Sequence, residues 1–311
     1  MGERIAVIGA GVIGMSIAHE LGDRDVTVLH DQDPLETTSA VAGALWFPYA
    51  AESSATVDAM LSASLQRFIA IAAEHADAGV DLRSGIVIER SPQPDRAWTA
   101  QLQAAEVDAS ELPAGATGLR TIVPLATMTE YLPWLRAQCE ERGVRFERRV
   151  VDDVDALTGE FDTVIVAAGA RGGTLLGDDE SVVPIRGQVV RVERRGMAEF
   201  VLDDANPAGL VYVLPRRDCV VLGGTNEPGE TDVEPDPAVE AAIIERCTAL
   251  VPALAGARVL SRAVGLRPGR EKLRIEEVPG RGPRVIAAYG HGGSGMTLSW
   301  GTAERVVALL A

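Results

Sequence analysis

The apolar run RIAVI (4–8) passes without a break into GAGVIG (9–14), and Ile13, Ile17, Ala18 and Leu21 then keep helical spacing. DVTVLHD (25–31) reads as a second strand. Strand, glycine turn, helix and strand within about 30 residues define a βαβ unit. Gly9, Gly11 and Gly14 fit G-x-G-x-x-G. The first permits the tight turn, the second lets a pyrophosphate touch the backbone, and the third lets helix and strand pack closely. With Ala10, Val12 and Ile13 they form a phosphate loop at a helix N-terminus, where N–H groups and the dipole favour negative charge. An acid is expected about 20 residues on to hold ribose hydroxyls. Asp31 stands there, with Asp33 as the less favoured substitute. An acid at that place disfavours a 2′-phosphate. The competing reading is a tight turn with no ligand, and strand, helix and acid together weigh against it.

This motif does not separate NAD from FAD. A second glycine cluster, YGHGGSGMTLSWG (289–301), lies near the other end of the chain and runs into an apolar helix beginning near Ser294. An NAD domain usually completes its Rossmann half continuously. A nucleotide held by both ends of the chain is a flavin arrangement. Taken alone, the second cluster reads equally well as a hinge before a terminal helix.

Between the clusters, residues 54–76 and 128–143 read as helices, and 85–90, 144–151 and 161–170 as strands. Residues 91–127 read as loop and short helix. RGQVVRVER (186–194), GLVYVLP (209–215) and CVVLGGT (219–225) alternate and suit antiparallel or mixed sheet, followed by a helix over 237–252. Strands are expected at 261–269, 273–278 and 283–290. With no linker or repeat, the 311 residues read as two interleaved lobes. A net charge of −16 argues against nucleic acid and anionic membranes. No apolar run approaches the ~18 residues of a spanning helix, and no signal or peroxisomal tripeptide is read, so the expected location is cytoplasmic. Cys139, Cys219 and Cys247 form neither a disulfide framework nor a metal spacing, and no metal is expected.

The ordered set VIGAGVIGMS, TTSAVAGALWFPY, ERGVRFERRV, TVIVAAGA, RGQVVRVE, YVLPRRDCVVLGGT, VGLRPGR and YGHGGSGMTLSWG spans nearly the whole chain. It resembles the D-amino-acid oxidase family, the flavoenzymes related to glycine oxidase and D-aspartate oxidase. The resemblance implies noncovalent, extended FAD. It implies that Thr37, Thr38 and Ser39 lie near the pyrophosphate and ribityl chain, and Gly43, Ala44 and Leu45 near the flavin ring. Val150 would meet the adenine through its backbone, and Ala168 the phosphates. Gly292, Gly293, Ser294, Gly295, Met296 and Thr297 would wrap the flavin. The following helix would then point its N-terminus at the ring's pyrimidine edge, where reduction places negative charge. This chain reads AGAL where the mammalian pattern reads AAGL.

Arg267, in VGLRPGR, matches the family's carboxylate-binding arginine, and a guanidinium offers a permanently charged bidentate fork. On composition alone it would be a surface arginine. Tyr212 matches a tyrosine that supports the same carboxylate, and Gly293 completes the implied catalytic set. Trp46 reads equally as a ring neighbour or as core. His291 is read as structural rather than as a base. Arg216 and Arg217 read as exposed turn arginines in preference to readers of a second carboxylate. The loop LDDANPAGLVY (202–212) lacks the lid tyrosine of mammalian members, predicting a more open site.

The fold class expected is α/β, a Rossmann-type FAD-binding domain (1–84, 128–185 and 265–311) interleaved with a mixed-sheet substrate domain (85–127 and 186–264). The resemblance implies hydride removal from the α-carbon of a D-amino acid, neutral or apolar by preference, with dioxygen as acceptor. The products would be a 2-oxo acid, ammonia and hydrogen peroxide. D-aspartate oxidase, glycine oxidase and a non-redox dinucleotide-binding protein are the rival readings. Self-association is left open.

Overall fold

A computed structural model describes residues 2–311. Strand β1 (Arg4–Ile8) feeds helix α1 (Val12–Glu20) and strand β2 (Asp25–His30). The short α2 (Thr38–Val41) and the long α3 (Ala55–Glu74) follow. Strands β3 (Val80–Glu89), β4 (Ala104–Glu106) and β5 (Thr117–Ala126) precede α4 (Met128–Glu141). Next come β6 (Arg145–Arg148), β7 (Thr163–Val166) and α5 (Gly172–Leu176). Strands β8 (Val183–Val192), β9 (Phe200–Asp203), β10 (Val211–Pro215), β11 (Val220–Gly223) and β12 (Glu227–Pro228) lead to α6 (Pro237–Leu250). Strands β13 (Val259–Gly269), β14 (Arg274–Val278) and β15 (Arg284–Tyr289) end in α7 (Gly295–Leu309).

These elements make two sheets. The six-stranded sheet runs β14-β15-β7-β1-β2-β6. All its pairings are parallel except β14 with β15. β1, β7 and β15 are nearly all apolar and buried, as central parallel strands covered on both faces must be. The wide mixed sheet runs β12-β8-β11-β10-β9-β3-β5-β4, with β13 paired along β8. The wide sheet thus takes in Val80–Ser84 and Gly265–Gly269, so it reaches past the boundaries drawn from sequence at 85 and 265.

Residues 91–127 depart from the loop and short helix expected. They hold β4 and the ten-residue β5. Pro124 is tolerated within β5 because it lies beyond the β4 pairing, which spans Leu119–Thr121. The missing N–H there leaves the β4 ladder untouched. The Pro124 carbonyl instead accepts the Trp46 N–H at 2.8 Å.

Helix α7 packs against α1 and α3, which fixes where its N-terminus points. Trp300 is buried and donates its indole N–H to the Tyr131 hydroxyl of α4 at 3.1 Å. Trp300→Phe removes that donor from a closed interior. We expect a loss of about 1–3 kcal/mol in stability, read by urea unfolding, from the stranded Tyr131 hydroxyl.

Candidate active site

One cavity of about 710 Å³ lies along the C-terminal ends of β1, β2 and β7 and against the wide sheet. That is room for a large ligand rather than a single amino acid. Gly9 to Ile13 line it, as do Asp31, Thr37, Thr38, Ser39, Gly43, Ala44 and Leu45. Ala168, Tyr212, Arg267, Gly292, Gly293, Gly295, Met296 and Thr297 share the same lining. Gly14, Val150 and Ser294 stand outside it. Gly14 acts on packing, because a Cβ there would strike the Gly9 carbonyl. Val150 is 61% exposed, although its neighbours Arg149 and Val151 both line the cavity.

Ser294 is buried and works through its hydroxyl, which donates to the Tyr49 carbonyl at 2.7 Å. Thr297 donates to the Phe47 carbonyl at 2.9 Å and accepts the Phe47 N–H at 3.3 Å. The start of α7 is therefore tied to residues 47–49 from near the other end of the chain. Two further bonds tighten the same wall. The Ser39 hydroxyl accepts the Val12 N–H at 3.0 Å, and Thr38 donates to the Leu266 carbonyl at 3.1 Å.

At the nucleotide end, Arg171 donates to one oxygen of Asp31 at 2.5 Å and to the Val151 carbonyl at 3.3 Å. This pair orients the Asp31 carboxylate, and no sequence signal separates Arg171 from the other arginines of the chain. At the other end, Arg267 Nη1 donates to the Thr225 carbonyl at 3.0 Å. Burial pushes the Tyr212 phenol above its ordinary value, while the Arg267 cation pulls it back. Tyr49, missed from the sequence, joins them. A Cβ on Gly293 would sit 2.5 Å from the Tyr49 ring, so ring and loop are in contact. Burial likewise pushes the Tyr49 phenol up, again opposed by Arg267. The signal available was its place in WFPY, directly after the stretch matched to the flavin ring.

Arg216 is only 1% exposed and so is not the turn arginine expected. Its guanidinium pairs with Asp218 at 2.7 Å, with a second bond to the other carboxylate oxygen at 3.1 Å. The Pro215 turn folds it inward because Asp218, two residues on, supplies a counter-ion. Arg217 pairs with Asp81 at 2.9 Å and Glu130 at 3.1 Å. Neither lines the cavity. Trp46 is core, at 2% exposure. No helix among the described residues is long and apolar enough to cross a membrane, and none of their His, Cys, Asp and Glu groups is placed to hold a metal.

A cavity that opens on a glycine loop, a helix N-terminus and a carboxylate at the end of the second strand is the site of a dinucleotide-dependent enzyme. The chain belongs to the family described as FAD dependent oxidoreductase, DAO, whose model matches residues 4–309. It is 42% identical to a D-amino-acid oxidase of Rubrobacter xylanophilus, over 98% of this chain and 95% of that one. It is 33% identical to the human D-aspartate oxidase, over 99% and 94% of the two chains. The crystal structure of glycine oxidase from Geobacillus kaustophilus has the same fold, with a TM-score of 0.83 at 20% identity, over 100% of this chain and 95% of that one. The protein is an FAD-dependent oxidoreductase. Its cavity fits that cofactor: a Cβ on Gly11 would meet only the Ser39 hydroxyl, at 3.2 Å, which leaves the phosphate loop open for close approach.

His291 is buried, with Nε2 2.9 Å from the Thr302 hydroxyl, and burial pushes it from 6.5 down to about 3. It is neutral at neutral pH. The unfolded chain binds a proton at this site between those two values and the folded chain does not, so the neutral histidine's stability falls as pH drops below about 6.5. His291→Asn keeps a partner for Thr302 and removes the titration. Urea unfolding between pH 7 and pH 4 should show the variant losing less stability than the wild type, and equal losses would refute the assignment.

Proposed function

We propose that the protein oxidises D-amino acids, with neutral or apolar side chains preferred, to the 2-oxo acid, ammonia and hydrogen peroxide. The observation that carries this reading is the state of Arg267. Three arginines line the cavity. Arg149 pairs with Glu160 and Arg171 with Asp31, whereas Arg267 has no carboxylate within 4 Å among the described residues. A half-buried guanidinium on the cavity wall with no carboxylate partner is incomplete until one arrives, and its fork suits one. Tyr212 stands beside it to donate a second hydrogen bond.

The lobes divide the work. Redrawn to follow the wide sheet, residues 80–127 and 183–269 frame the substrate, and 2–79, 128–182 and 270–311 hold the cofactor. The phosphate loop, Asp31, Thr37–Ser39, Ala168 and the backbone near Val150 would hold the nucleotide. Gly43–Leu45 and Gly292–Thr297 would flank the flavin. When bound, FAD would take the α-hydrogen as a hydride while the amine loses a proton, and would hand the two electrons on to dioxygen, which with two protons becomes hydrogen peroxide; water then hydrolyses the released imino acid to the 2-oxo acid and ammonia. The chain's own part is orientation: Arg267 and Tyr212 fix the carboxylate, which sets where the α-carbon lies. His291, neutral and occupied by Thr302, takes no proton. Phe47, Leu202, Leu210, Leu214 and Val233 give the remaining wall its apolar character. Arg216 and Arg217, both already paired, supply no cation for a second carboxylate, which weighs against D-aspartate.

A panel of D- and L-amino acids with a peroxide readout tests this. We expect neutral D-substrates to lead, and a lead by D-aspartate, glycine or any L-enantiomer would overturn the preference. Arg267→Ala should raise KM by roughly ten- to hundredfold, the worth of a charge-assisted hydrogen-bond pair, with FAD retained. Tyr212→Phe should cost only about 1 kcal/mol in kcat/KM. Unchanged KM in the arginine variant would refute the anchor.

A further inference from the structure

Arg267 and Tyr212 do not sit on neighbouring strands. Arg267 is on β13 and Tyr212 on β10, and β8 and β11 lie between them. Side chains standing straight up from strands this far apart would not meet. Each instead leans inward over the intervening strand. Arg267 pairs in register with Ile185, and Gly187 lies two residues further along β8 on the same face. A Cβ built on Gly187 would collide with the guanidinium, 2.5 Å from both Cζ and Nη1. On the other side, Tyr212 is paired directly with Gly223, and a Cβ there or on Gly224 would fall on the phenol ring. The next residue, Thr225, turns its carbonyl to Arg267 at 3.0 Å. Its hydroxyl accepts the Gln188 N–H, directly after Gly187, at 3.0 Å.

We infer that Gly187 and the Gly223–Gly224 pair are positioning residues: together they form a side-chain-free trough, two strands wide, that lets the carboxylate-binding guanidinium and phenol converge. This rests on the reading of Arg267 as the anchor. The two halves of the trough differ in tolerance. The group over Gly187 is the far end of a flexible side chain, which can swing aside at little cost to the fold. The group over Gly223 is a ring with few rotamers. Gly187→Ala is therefore the informative change, since it should displace the anchor while sparing the fold.

The test is a cycle of Gly187→Ala, Arg267→Ala and the double variant, each purified with FAD and assayed with the best D-amino acid. We expect Gly187→Ala to raise KM roughly ten- to hundredfold with far less change in kcat, and to leave FAD affinity as in the wild type. In the Arg267→Ala background it should add nothing to KM. A KM within about twofold of wild type, or an equal increment in both backgrounds, would overturn the inference. If Gly187→Ala fails to fold, recovery of folded protein in the double variant supports it and failure there overturns it. If Arg267→Ala alone leaves KM unchanged, the anchor reading falls. Unfolding of Gly187→Val with and without Arg267→Ala then still decides the packing claim. Relief of the valine's cost by the alanine supports the trough, and additive costs refute it.

Discussion

Among the described residues the Arg267 guanidinium on the cavity wall has no carboxylate partner, and that constraint organises the site around it. The chain has 29 basic and 45 acidic residues, so a carboxylate partner for Arg267 would be easy to supply. Near the other cavity arginines one is supplied: Glu160 meets Arg149, and Asp31 meets Arg171. Around Arg267 the chain provides a backbone carbonyl and two phenols instead. Carbonyl and phenol groups steady a cation without neutralising it, so its attraction for an incoming carboxylate survives in a low-dielectric setting. On the proposed reading, the unsatisfied charge is a cost to folding that a substrate carboxylate would remove.

The second constraint is mechanical. Residues 47–49 and the start of α7 lie some 250 positions apart, yet three hydrogen bonds from Ser294 and Thr297 join them. Thr38 ties the same wall to β13, one residue before Arg267. Residues 38–49, the start of α7 and β13 are thereby linked into one frame. Small displacements in any part would be felt at the reacting centre, where orientation carries much of the rate.

The sequence carried the nucleotide half of this architecture openly. A phosphate loop needs particular glycines at particular spacings, so RIAVIGAGVIG and Asp31 can be read without a structure. Arg267, Tyr212 and the 292–297 loop were legible only as parts of an ordered set of segments, because an arginine in a strand looks like any other. The misses have physical causes. Strand β5 lies in a stretch rich in Pro, Asp and Ala that reads as loop, and only its pairing with β3 and β4 makes it a strand. Arg216 reads as a surface residue in the sequence, and only the folded Pro215 turn brings Asp218 to its guanidinium. Arg171 acts through contacts distant in sequence that no local pattern announces, whereas Tyr49 had only its place in WFPY to point to it. The glycines in RGQ and LGGT were visible, but their purpose depends on side chains two strands apart converging over them.

The most direct measurement of the central claim is anaerobic mixing of the FAD-loaded protein with a neutral D-amino acid, followed by flavin absorbance. The account predicts that the yellow band bleaches, with half-saturation at far lower substrate in the wild type than in Arg267→Ala, and that the L-enantiomer leaves it intact. Bleaching that is indifferent to enantiomer, or that saturates identically without the guanidinium, would contradict it.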